Sequence, residues 1–554
     1  MYAEQSLRPD EVWPARMPRS LPIPETSLHY NLEVSASRYP NRPAILYYGA
    51  EISFSRLYDE VEALAGFLQR GLGVEKGDRV ILYLQNSPQF VISYYAVLRA
   101  GAVVVPVNPM LVEEEVSHYA EDSGARVALA GAELADRISP LAQDGRLDHL
   151  IVARYGDYIE KETDLSVPDS VYAEMPARVG VPWHEALGAG GVLEAPGVGP
   201  HDLACLPYTS GTTGKPKGCR HTHRTVQANI VGAAVFNGVT QGSVALATLP
   251  FFHVTGMQHS MNAPIYTGGA MVLMTRWDRE TAAELIERHR VTHWTNISTM
   301  VVDFLSDPEI ERRDLSSLAL VGGGGAALPA AVGEKLERLT GVRYAEGYGL
   351  SETISQTHMN PPHRPKLQCL GLPAFDVDAR IVDPETLEEL GPNEQGEIVS
   401  SGPQVMQGYW NRPEADEETF FERDGKRFLR TGDLGTRDEE GYFFLVDRLK
   451  RMINASGYKV WPSEVESTLY GHPAIQEACV IGVPDERTGQ KVQAVVVLRE
   501  GNESVSGDEI AEWAKERMAA YKYPRRVEIA DSLPKSASGK IQWRDLQQRY
   551  APQE

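Results

Sequence analysis

The sequence contains few cysteines, and their spacing is not that of a metal or disulfide site. Only four of the 554 residues are cysteine, at positions 205, 219, 369 and 479. They are far apart and form no C-x-x-C pair. The sequence therefore predicts neither a zinc site nor a disulfide framework, and it fits a reducing compartment.

Long apolar runs are also missing. The longest stretch, at residues 91–107, is interrupted by Arg99 and contains Pro106 near its end, so it is too short and too broken to span a membrane. Residues 1–24 carry three arginines among several prolines and lack the apolar run of a signal peptide. We therefore predict a cytoplasmic protein without a membrane span.

Basic residues are outnumbered. The chain has 54 lysines and arginines against 76 acidic residues, which gives a formal net charge of −22. This acidic balance argues against a general nucleic-acid binder, because phosphate backbones require basic stripes. It does not exclude nucleotides, which are bound by local loops. The composition, 42% hydrophobic and 23% charged, is typical of a folded protein.

Short apolar runs alternate with helix-like segments through most of the chain. Residues 80–84 and 102–107 have the pattern of buried strands, and residues 90–98 that of the helix between them. Such alternation predicts parallel sheets covered by helices. After about Asp447 the pattern becomes a short, separate α/β arrangement. We therefore predict two domains, at 1–449 and 450–554.

The strongest local signal is the loop from Tyr208 to Gly218, which follows an apolar run at residues 203–206. Its three glycines allow a ligand to approach the backbone closely. Its hydroxyls, successive N–H groups and two lysines suit a phosphate. The spacing is not that of a Walker A loop. A solvated loop of glycine, serine and threonine is the alternative.

A second glycine run, Gly322 to Gly325 followed by two alanines, comes after an apolar segment. It matches a dinucleotide fingerprint only weakly, with Glu346 or a neighbour as the acidic partner. Two other interpretations remain open. Flat glycine backbone would let a planar base or an acyl chain lie close, and a simple strand-to-helix turn would also use glycine.

Three further segments carry reactive side chains. In the segment from Gly347 to Thr353, an aromatic ring could stack on a base, and the carboxylate of Glu352 could hold Mg²⁺ together with substrate phosphates. Asp433, in a Thr-Gly-Asp loop, could accept both hydroxyls of a ribose, although such a loop alone is a common turn. Lys540 lies in a polar loop near the end of the sequence, where a lone lysine is usually solvated.

Together and in this order, YTSGTTGKPKG, YGLSET, TGD, the block at residues 447–466 and PKSASGK resemble the adenylate-forming superfamily of acyl-CoA synthetases, luciferases and peptide-synthetase adenylation domains. The resemblance covers about residues 27–545. It implies an α/β fold: a large N-terminal domain, with two α/β sheets packed with helices plus a small β-barrel, and a small mobile α+β C-terminal domain. It also implies a two-step reaction. A carboxylate attacks the α-phosphorus of ATP and releases pyrophosphate, and a thiol then attacks the acyl-adenylate.

The resemblance further implies roles for individual residues. Lys540 would stabilise the charge that develops during adenylation, and His253 would contact the carboxylate or gate CoA, unless it is a hydrogen-bonded core histidine. Lys450 would be the hinge about which the small domain rotates. Glu352, with Thr209, would hold Mg²⁺. The implied ATP- and AMP-binding residues are Thr209, Ser210, Gly211, Thr212, Thr213, Gly214, Lys217, Gly323, Gly324, Ala326, Gly347, Tyr348, Gly349, Ser351, Asp433 and Arg448. The acyl and CoA channel would involve Gly256, Met257, Asn296, Gly322, Gly457 and Tyr458.

The predicted activity is that of an AMP-forming fatty acid–CoA ligase that uses ATP, Mg²⁺ and CoA. No Asp, Glu, Lys or Arg occurs from Phe251 to Thr275, so the ammonium of an amino-acid substrate would lack a partner. We therefore predict a medium- or long-chain fatty acid. An aryl or hydroxylated acid, transfer to a separate carrier protein, a luciferase-like oxygenase and a non-catalytic binder are the alternatives, and a homodimer stays open.

Overall fold

The computed structural model describes residues 12–176, 179–191, 193–209, 216–324, 328–448, 451–455, 458–485, 489–502, 504–535 and 541–550. The chain forms two compact units. The first consists of Met1–Asp378 and Ser400–Leu429, and the second of Ala379–Val399 and Arg430–Glu554. The predicted boundary at 449/450 falls within the second unit and stays a prediction.

A seven-stranded sheet in the first unit contains the first predicted strands. Its neighbouring strands are parallel except for the last pair, which is antiparallel. The strand Val103–Pro106 is buried at every residue, as expected for a parallel strand covered on both faces. In spatial order the strands are Val181–Pro182, His149–Ala153, Val127–Gly131, Arg79–Tyr83, Val103–Pro106, Leu203–Cys205 and His221–Thr222.

A nine-stranded sheet forms the rest of the central framework of this unit. Its middle strands are parallel, and antiparallel pairs occur at both edges. In spatial order the strands are Leu372–Pro373, Ser355–Met359, Ala345–Leu350, Leu320–Gly323, His293–Asn296, Val244–Ala247, Ala270–Leu273, Pro43–Tyr47 and Ala50–Ser53. Both predicted glycine segments, at 322–325 and 347–353, therefore begin within neighbouring strands of one sheet.

Helices connect these strands, and several begin at a side-chain cap. Ser53, Ser87, Thr222 and Asp278 each accept a hydrogen bond from a main-chain N–H of the first turn. Among the described residues, the α-helices of the first unit include His29–Arg38, Phe54–Gly66, Pro88–Arg99, Glu113–Ser123, Ala135–Gln143, Trp183–Ala189, His223–Phe236, Ala263–Thr267, Arg279–His289, Ser298–Ser306, Ala330–Thr340 and Pro413–Thr419. Shorter helical turns include the π-helical segments Phe67–Gly71 and Gly256–Asn262.

A third sheet includes the long strand Lys426–Arg437. Its first part pairs with Phe420–Arg423 in the first unit, and its later part pairs with Phe443–Arg448 in the second. The other strands of this sheet are Asp378–Val382 and Gly396–Ser401. This five-stranded sheet stands where the resemblance implies a small β-barrel.

Among its described residues, the second unit also contains a five-stranded sheet of its own and three α-helices. The strands Ile475–Asp485 and Gly489–Leu498 form a long antiparallel pair, and Arg526–Ile529 adds in parallel. The strands Ile453–Ala455 and Tyr458–Val460 complete the sheet, and the helices are Pro462–Leu469, Gly507–Lys515 and Trp543–Tyr550.

These elements confirm the predicted α/β class with a small α+β arrangement at the C-terminal end. The predicted strands at 80–84 and 102–107 and the predicted helix at 90–98 agree with the structure to within two residues at each end. All four cysteines are buried, and none of them forms a disulfide bond. In the part of the chain that the structure describes, no helix is long and apolar enough to cross a membrane.

Candidate active site

The predicted phosphate loop begins after the strand Leu203–Cys205, as expected. Its two ends are held together by main-chain contacts. The N–H of Thr209 donates to the Lys217 carbonyl at 2.9 Å, and Tyr208 and Gly218 form an antiparallel β-bridge. Ser210, Gly211, Thr212, Thr213 and Gly214 lie outside the described residues. The described ends of the loop are therefore paired through their main chains, with Thr209 and Lys217 opposite each other.

A carboxylate holds the start of this loop in place. The Tyr208 hydroxyl donates to Asp122 Oδ2 at 2.9 Å, and the Arg412 guanidinium is paired with the other oxygen of the same carboxylate. The indole N–H of Trp410 donates to the Asp122 carbonyl at 3.0 Å. Asp122 thus connects the loop to the segment around residue 410, far away in sequence.

Glu352, the predicted magnesium ligand, lies in the short helical turn Ser351–Thr353 that follows the strand Ala345–Leu350. The Tyr409 hydroxyl donates to Glu352 Oε1 at 2.7 Å. The Nζ of Lys217 lies 4.0 Å from the centroid of the Tyr409 ring, which is cation–π geometry. Tyr409 therefore contacts both the predicted metal ligand and the predicted phosphate-binding lysine.

The backbone beside Glu352 is fixed by a neutral histidine. His221 Nε2 lies 2.7 Å from the Ser351 carbonyl and donates to it. Desolvation by burial lowers the pKa of His221 to about 4, so the ring is neutral near pH 7. The hydrogen bond from His221 reaches the main-chain carbonyl of Ser351. A role of the Ser351 side chain in binding ATP stays a prediction.

The glycines of the neighbouring strands allow close packing of main chains. A Cβ on Gly323 would lie 1.8 Å from the Asn296 carbonyl oxygen, and a Cβ on Gly322 would lie 2.3 Å from the Ala345 oxygen. Gly324 is close to the Gly347 carbonyl in the same way. Glycine is therefore required here by strand packing, in addition to any ligand. Ala326 lies outside the described residues.

Glu346 is not arranged as the acidic residue of a dinucleotide fingerprint. Its carboxylate accepts hydrogen bonds from the N–H groups of Leu328 and Gln368, at 3.1 and 3.0 Å. The side chain is buried, and desolvation raises its pKa. The weak dinucleotide alternative therefore loses its acidic partner. Strand pairing places Gly322 and Gly323 beside Ala345 and Glu346, directly before Gly347.

The segment predicted to contact the acid begins at His253, which is partly exposed and accepts a hydrogen bond from the Thr255 N–H at 3.3 Å through Nδ1. A Cβ on Gly256 would lie 2.4 Å from the Pro250 carbonyl oxygen, so this turn also needs glycine. Met257 and Asn296 are completely buried. The Asn296 side chain accepts a hydrogen bond from the Tyr344 hydroxyl and donates one to the Trp294 carbonyl. Its role in the acyl and CoA channel stays a prediction.

Asp433 and Arg448, both predicted to bind ribose, are in the second unit. They are direct partners across two antiparallel strands, and Arg448 Nε lies 3.0 Å from Asp433 Oδ1. The Asp433 side chain is almost fully buried, whereas that of Arg448 is about 41% exposed. Lys450, Gly457 and Lys540 lie outside the described residues. Tyr458 begins a strand, and its side chain is not described.

Three residues of this region were missed by the sequence analysis, namely Asp122, Tyr409 and His221. Tyr409 is 57 residues away from Glu352, and Asp122 is 86 residues away from Tyr208. None of them lies in a glycine-rich or charged motif, so no local signal indicated them. They support the predicted loop and carboxylate from elements that only the fold brings close.

Comparison with known proteins gives consistent matches over nearly the whole chain. The sequence model of the AMP-binding enzyme family matches residues 32–410, and that of the AMP-binding enzyme C-terminal domain matches residues 464–540. A long-chain-fatty-acid–CoA ligase of Bacillus subtilis is 38% identical over 545 residues, which is 96% of each chain. A feruloyl-CoA synthase of an Amycolatopsis species is 35% identical over 92% of this chain and 96% of its own.

Solved structures agree with these sequence matches. The crystal structure of ATP-bound MatB from Rhodopseudomonas palustris has a TM-score of 0.82 and 27% sequence identity. The match covers 95% of this chain and 99% of that one. The resemblance stated from the sequence motifs is thereby confirmed.

Proposed function

Because this chain belongs to the AMP-binding enzyme family, we propose that it activates a carboxylic acid with ATP and transfers the acyl group to CoA. The first step gives acyl-AMP and pyrophosphate, and the second gives acyl-CoA and AMP. The observation that carries the proposal is the contact of Tyr409 with both Glu352 and Lys217 beside the loop at Thr209. The curated relatives named as acid–CoA ligases support the same reaction.

The two steps have a clear chemical reason. A carboxylate is a poor acylating agent, because an oxide ion is a poor leaving group. In the mixed anhydride with AMP, the same oxygen leaves as part of a phosphate. Catalysis of such a transfer depends mainly on positioning and on stabilising the developing charge.

We assign the phosphate-binding role to the loop around Thr209 and Lys217 and the metal-binding role to Glu352, with Thr209 assisting. Mg²⁺ is usually held by one or two carboxylates together with substrate phosphates and water. The residues fit this ion, because Glu352 supplies one carboxylate, which the Tyr409 hydroxyl orients through Oε1. Among the described residues, no cluster of three acidic, histidine or cysteine side chains forms a larger metal site. Bound Mg²⁺ would neutralise phosphate charge.

The remaining assignments are proposals that follow from family membership. Lys540 stabilises charge in the first step, and Asp433 with Arg448 holds the ribose. Rotation at Lys450 brings Gly457 and Tyr458 to the site for the second step, which makes 449/450 the functional domain boundary. A cytoplasmic location and a homodimer stay predictions.

We propose a medium- or long-chain fatty acid as the substrate. The segment from Phe251 to Thr275 carries no charged side chain and contributes several core residues. The name of the Bacillus subtilis relative supports this choice. An aryl or hydroxylated acid is the second candidate, which the feruloyl-CoA synthase relative favours.

The experiment is to measure AMP and pyrophosphate release with acids from acetate to palmitate, plus cinnamates and hydroxy acids, each with and without CoA. The expected result is AMP formation that depends on CoA and peaks with one class of acid. AMP formation indifferent to CoA would favour a separate carrier protein, and no AMP with any acid would contradict the proposal.

A further inference from the structure

A buried glutamate lies beside the loop that carries Asp433. Glu397 belongs to the strand Gly396–Ser401, and its side chain is only 2% exposed. Burying a carboxylate is unfavourable unless its oxygens are paired and hydrogen-bonded. An apolar side chain would serve sheet packing at this position equally well, so the carboxylate of Glu397 indicates a polar role.

The two oxygens of Glu397 have different partners. Oε2 accepts hydrogen bonds from Nε and Nη2 of Arg430 at 3.0 and 2.7 Å, and Oε1 accepts one from the main-chain N–H of Gly432 at 3.0 Å. Arg430 Nη2 also donates to the Pro384 carbonyl at 3.1 Å. One carboxylate therefore holds both the side chain of Arg430 and the main chain two residues further on.

The residue between these two contacts is fixed to the same strand. The Thr431 hydroxyl donates to the Ile398 carbonyl at 2.6 Å and accepts a hydrogen bond from the Asp433 N–H at 3.1 Å. Gly432 has a φ of +70°, in the left-handed region that favours glycine. The three residues before Asp433 are thus all bonded to residues 397 and 398, which fixes the main chain as it enters Asp433.

Asp433 also has a fixed side-chain partner. Its carboxylate is almost fully buried, and Arg448 Nε lies 3.0 Å from Oδ1. A group that recognises a ligand must be held within about 0.5 Å of its working position, usually by supporting hydrogen bonds. For Asp433, Arg448 provides this support at the carboxylate, and Glu397 provides it at the preceding main chain.

We propose that Glu397 is a positioning residue for ribose recognition. By holding Arg430 and Gly432, it orients the Asp433 carboxylate toward the two ribose hydroxyls of ATP. This inference rests on the proposed function, because Glu397 acts through Asp433, whose ribose role is itself part of that proposal. The ability of the enzyme to distinguish ribose from deoxyribose therefore depends on Glu397.

The test compares ATP with 2′-deoxy-ATP and 3′-deoxy-ATP. Pyrophosphate release is measured with Mg²⁺, CoA and the best acid of the panel above, and the readout is the ratio of kcat/KM for ATP to that for each deoxynucleotide. A loss of folded enzyme lowers every kcat/KM by the same factor and leaves this ratio unchanged. In the wild type, a missing hydroxyl removes a hydrogen bond to a charged group, so the ratio should be about 10 to 150.

Variants then assign part of this ratio to Glu397. Glu397→Gln keeps the size of the side chain but leaves one acceptor oxygen in place of two. It should lower the ratio by about 2- to 13-fold, the equivalent of one neutral hydrogen bond. Asp433→Asn is the positive reference and should lower the ratio at least as much. Should Glu397→Gln fail to fold, Arg430→Lys decides, because it keeps the charge but loses the forked contact with Oε2, and it must also lower the ratio.

The matched control is Glu466→Gln. Glu466 likewise accepts hydrogen bonds from an arginine, Arg451, and from a main-chain N–H, that of Val480 at 2.7 Å. Neither partner is a predicted ribose residue. Glu466→Gln should therefore keep the wild-type ratio, even if it lowers the melting temperature as much as Glu397→Gln does.

The two proposals fail in different ways. If Asp433→Asn lowers the ratio while Glu397→Gln keeps it, or if Glu466→Gln lowers it as much as Glu397→Gln, the inference about Glu397 is overturned and the ribose role of Asp433 stands. If the wild type uses both deoxynucleotides as well as ATP, or if Asp433→Asn keeps the wild-type ratio, the ribose assignment in the proposed function is wrong, and the inference about Glu397 falls with it.

Discussion

Removing the Tyr409 hydroxyl should weaken the use of ATP and magnesium without disturbing the fold. In Tyr409→Phe the ring remains, so its contact with Lys217 is kept, while the 2.7 Å hydrogen bond to Glu352 is lost. A hydrogen bond to a charged group contributes about 1.5–3 kcal/mol. Because about 1.4 kcal/mol corresponds to a factor of ten, kcat/KM for ATP should fall by about 10- to 150-fold.

The assay is pyrophosphate release at a series of Mg²⁺ concentrations, together with calorimetric titration of ATP with and without Mg²⁺. Tyr409→Phe should raise the Mg²⁺ concentration needed for half-maximal activity and weaken ATP binding mainly when Mg²⁺ is present. Tyr158→Phe is the matched control, because it also removes a tyrosine–glutamate hydrogen bond, to Glu60, in a cleft beside Trp183. Equal behaviour of the two variants would refute the positioning role of Tyr409.

Three further variants test other parts of the account. Asp122→Asn should raise the KM for ATP by about 3- to 10-fold in steady-state assays, because it weakens the anchor of Tyr208, and an unchanged KM would contradict this. Burial raises the pKa of Glu133 to about 7, so the folded state favours the protonated acid, and its stability contribution is lost as pH rises through that value. Thermal melting should therefore show Glu133→Gln stabilised by up to about 3 kcal/mol near pH 8 and by almost nothing near pH 4; equal effects at both would contradict it. Gly323→Ala should lower the melting temperature by several degrees, because its Cβ would overlap the Asn296 oxygen, and an unchanged value would refute the packing argument.

The parts of the site that could be predicted from sequence are those encoded locally. The loop after Leu203–Cys205 was predicted because glycines, hydroxyls and lysines follow a strand without interruption. The strand before Glu352 was not predicted. The aromatic ring, hydroxyl and carboxylate at residues 347–353 were nevertheless recognised from the sequence as candidate binding groups. In both cases the chemistry and its support are contained within about ten residues of sequence.

The parts that could not be predicted depend on contacts between distant segments. Tyr409 reaches Glu352, and Asp122 reaches Tyr208, only after the sheets have formed. Asp433 and Arg448 were both expected to contact ribose, whereas their mutual ion pair follows from strand register, which the sequence does not specify.

Isotope transfer tests the central claim, formation of an acyl-adenylate, most directly. The enzyme is incubated with ATP, Mg²⁺, CoA and dodecanoate labelled with ¹⁸O in its carboxylate, and AMP, pyrophosphate and acyl-CoA are analysed by mass spectrometry. The account predicts a single labelled oxygen in each AMP formed, because the carboxylate oxygen stays with phosphorus when the thiol takes the acyl group. Unlabelled AMP, or label in pyrophosphate or inorganic phosphate, would contradict it.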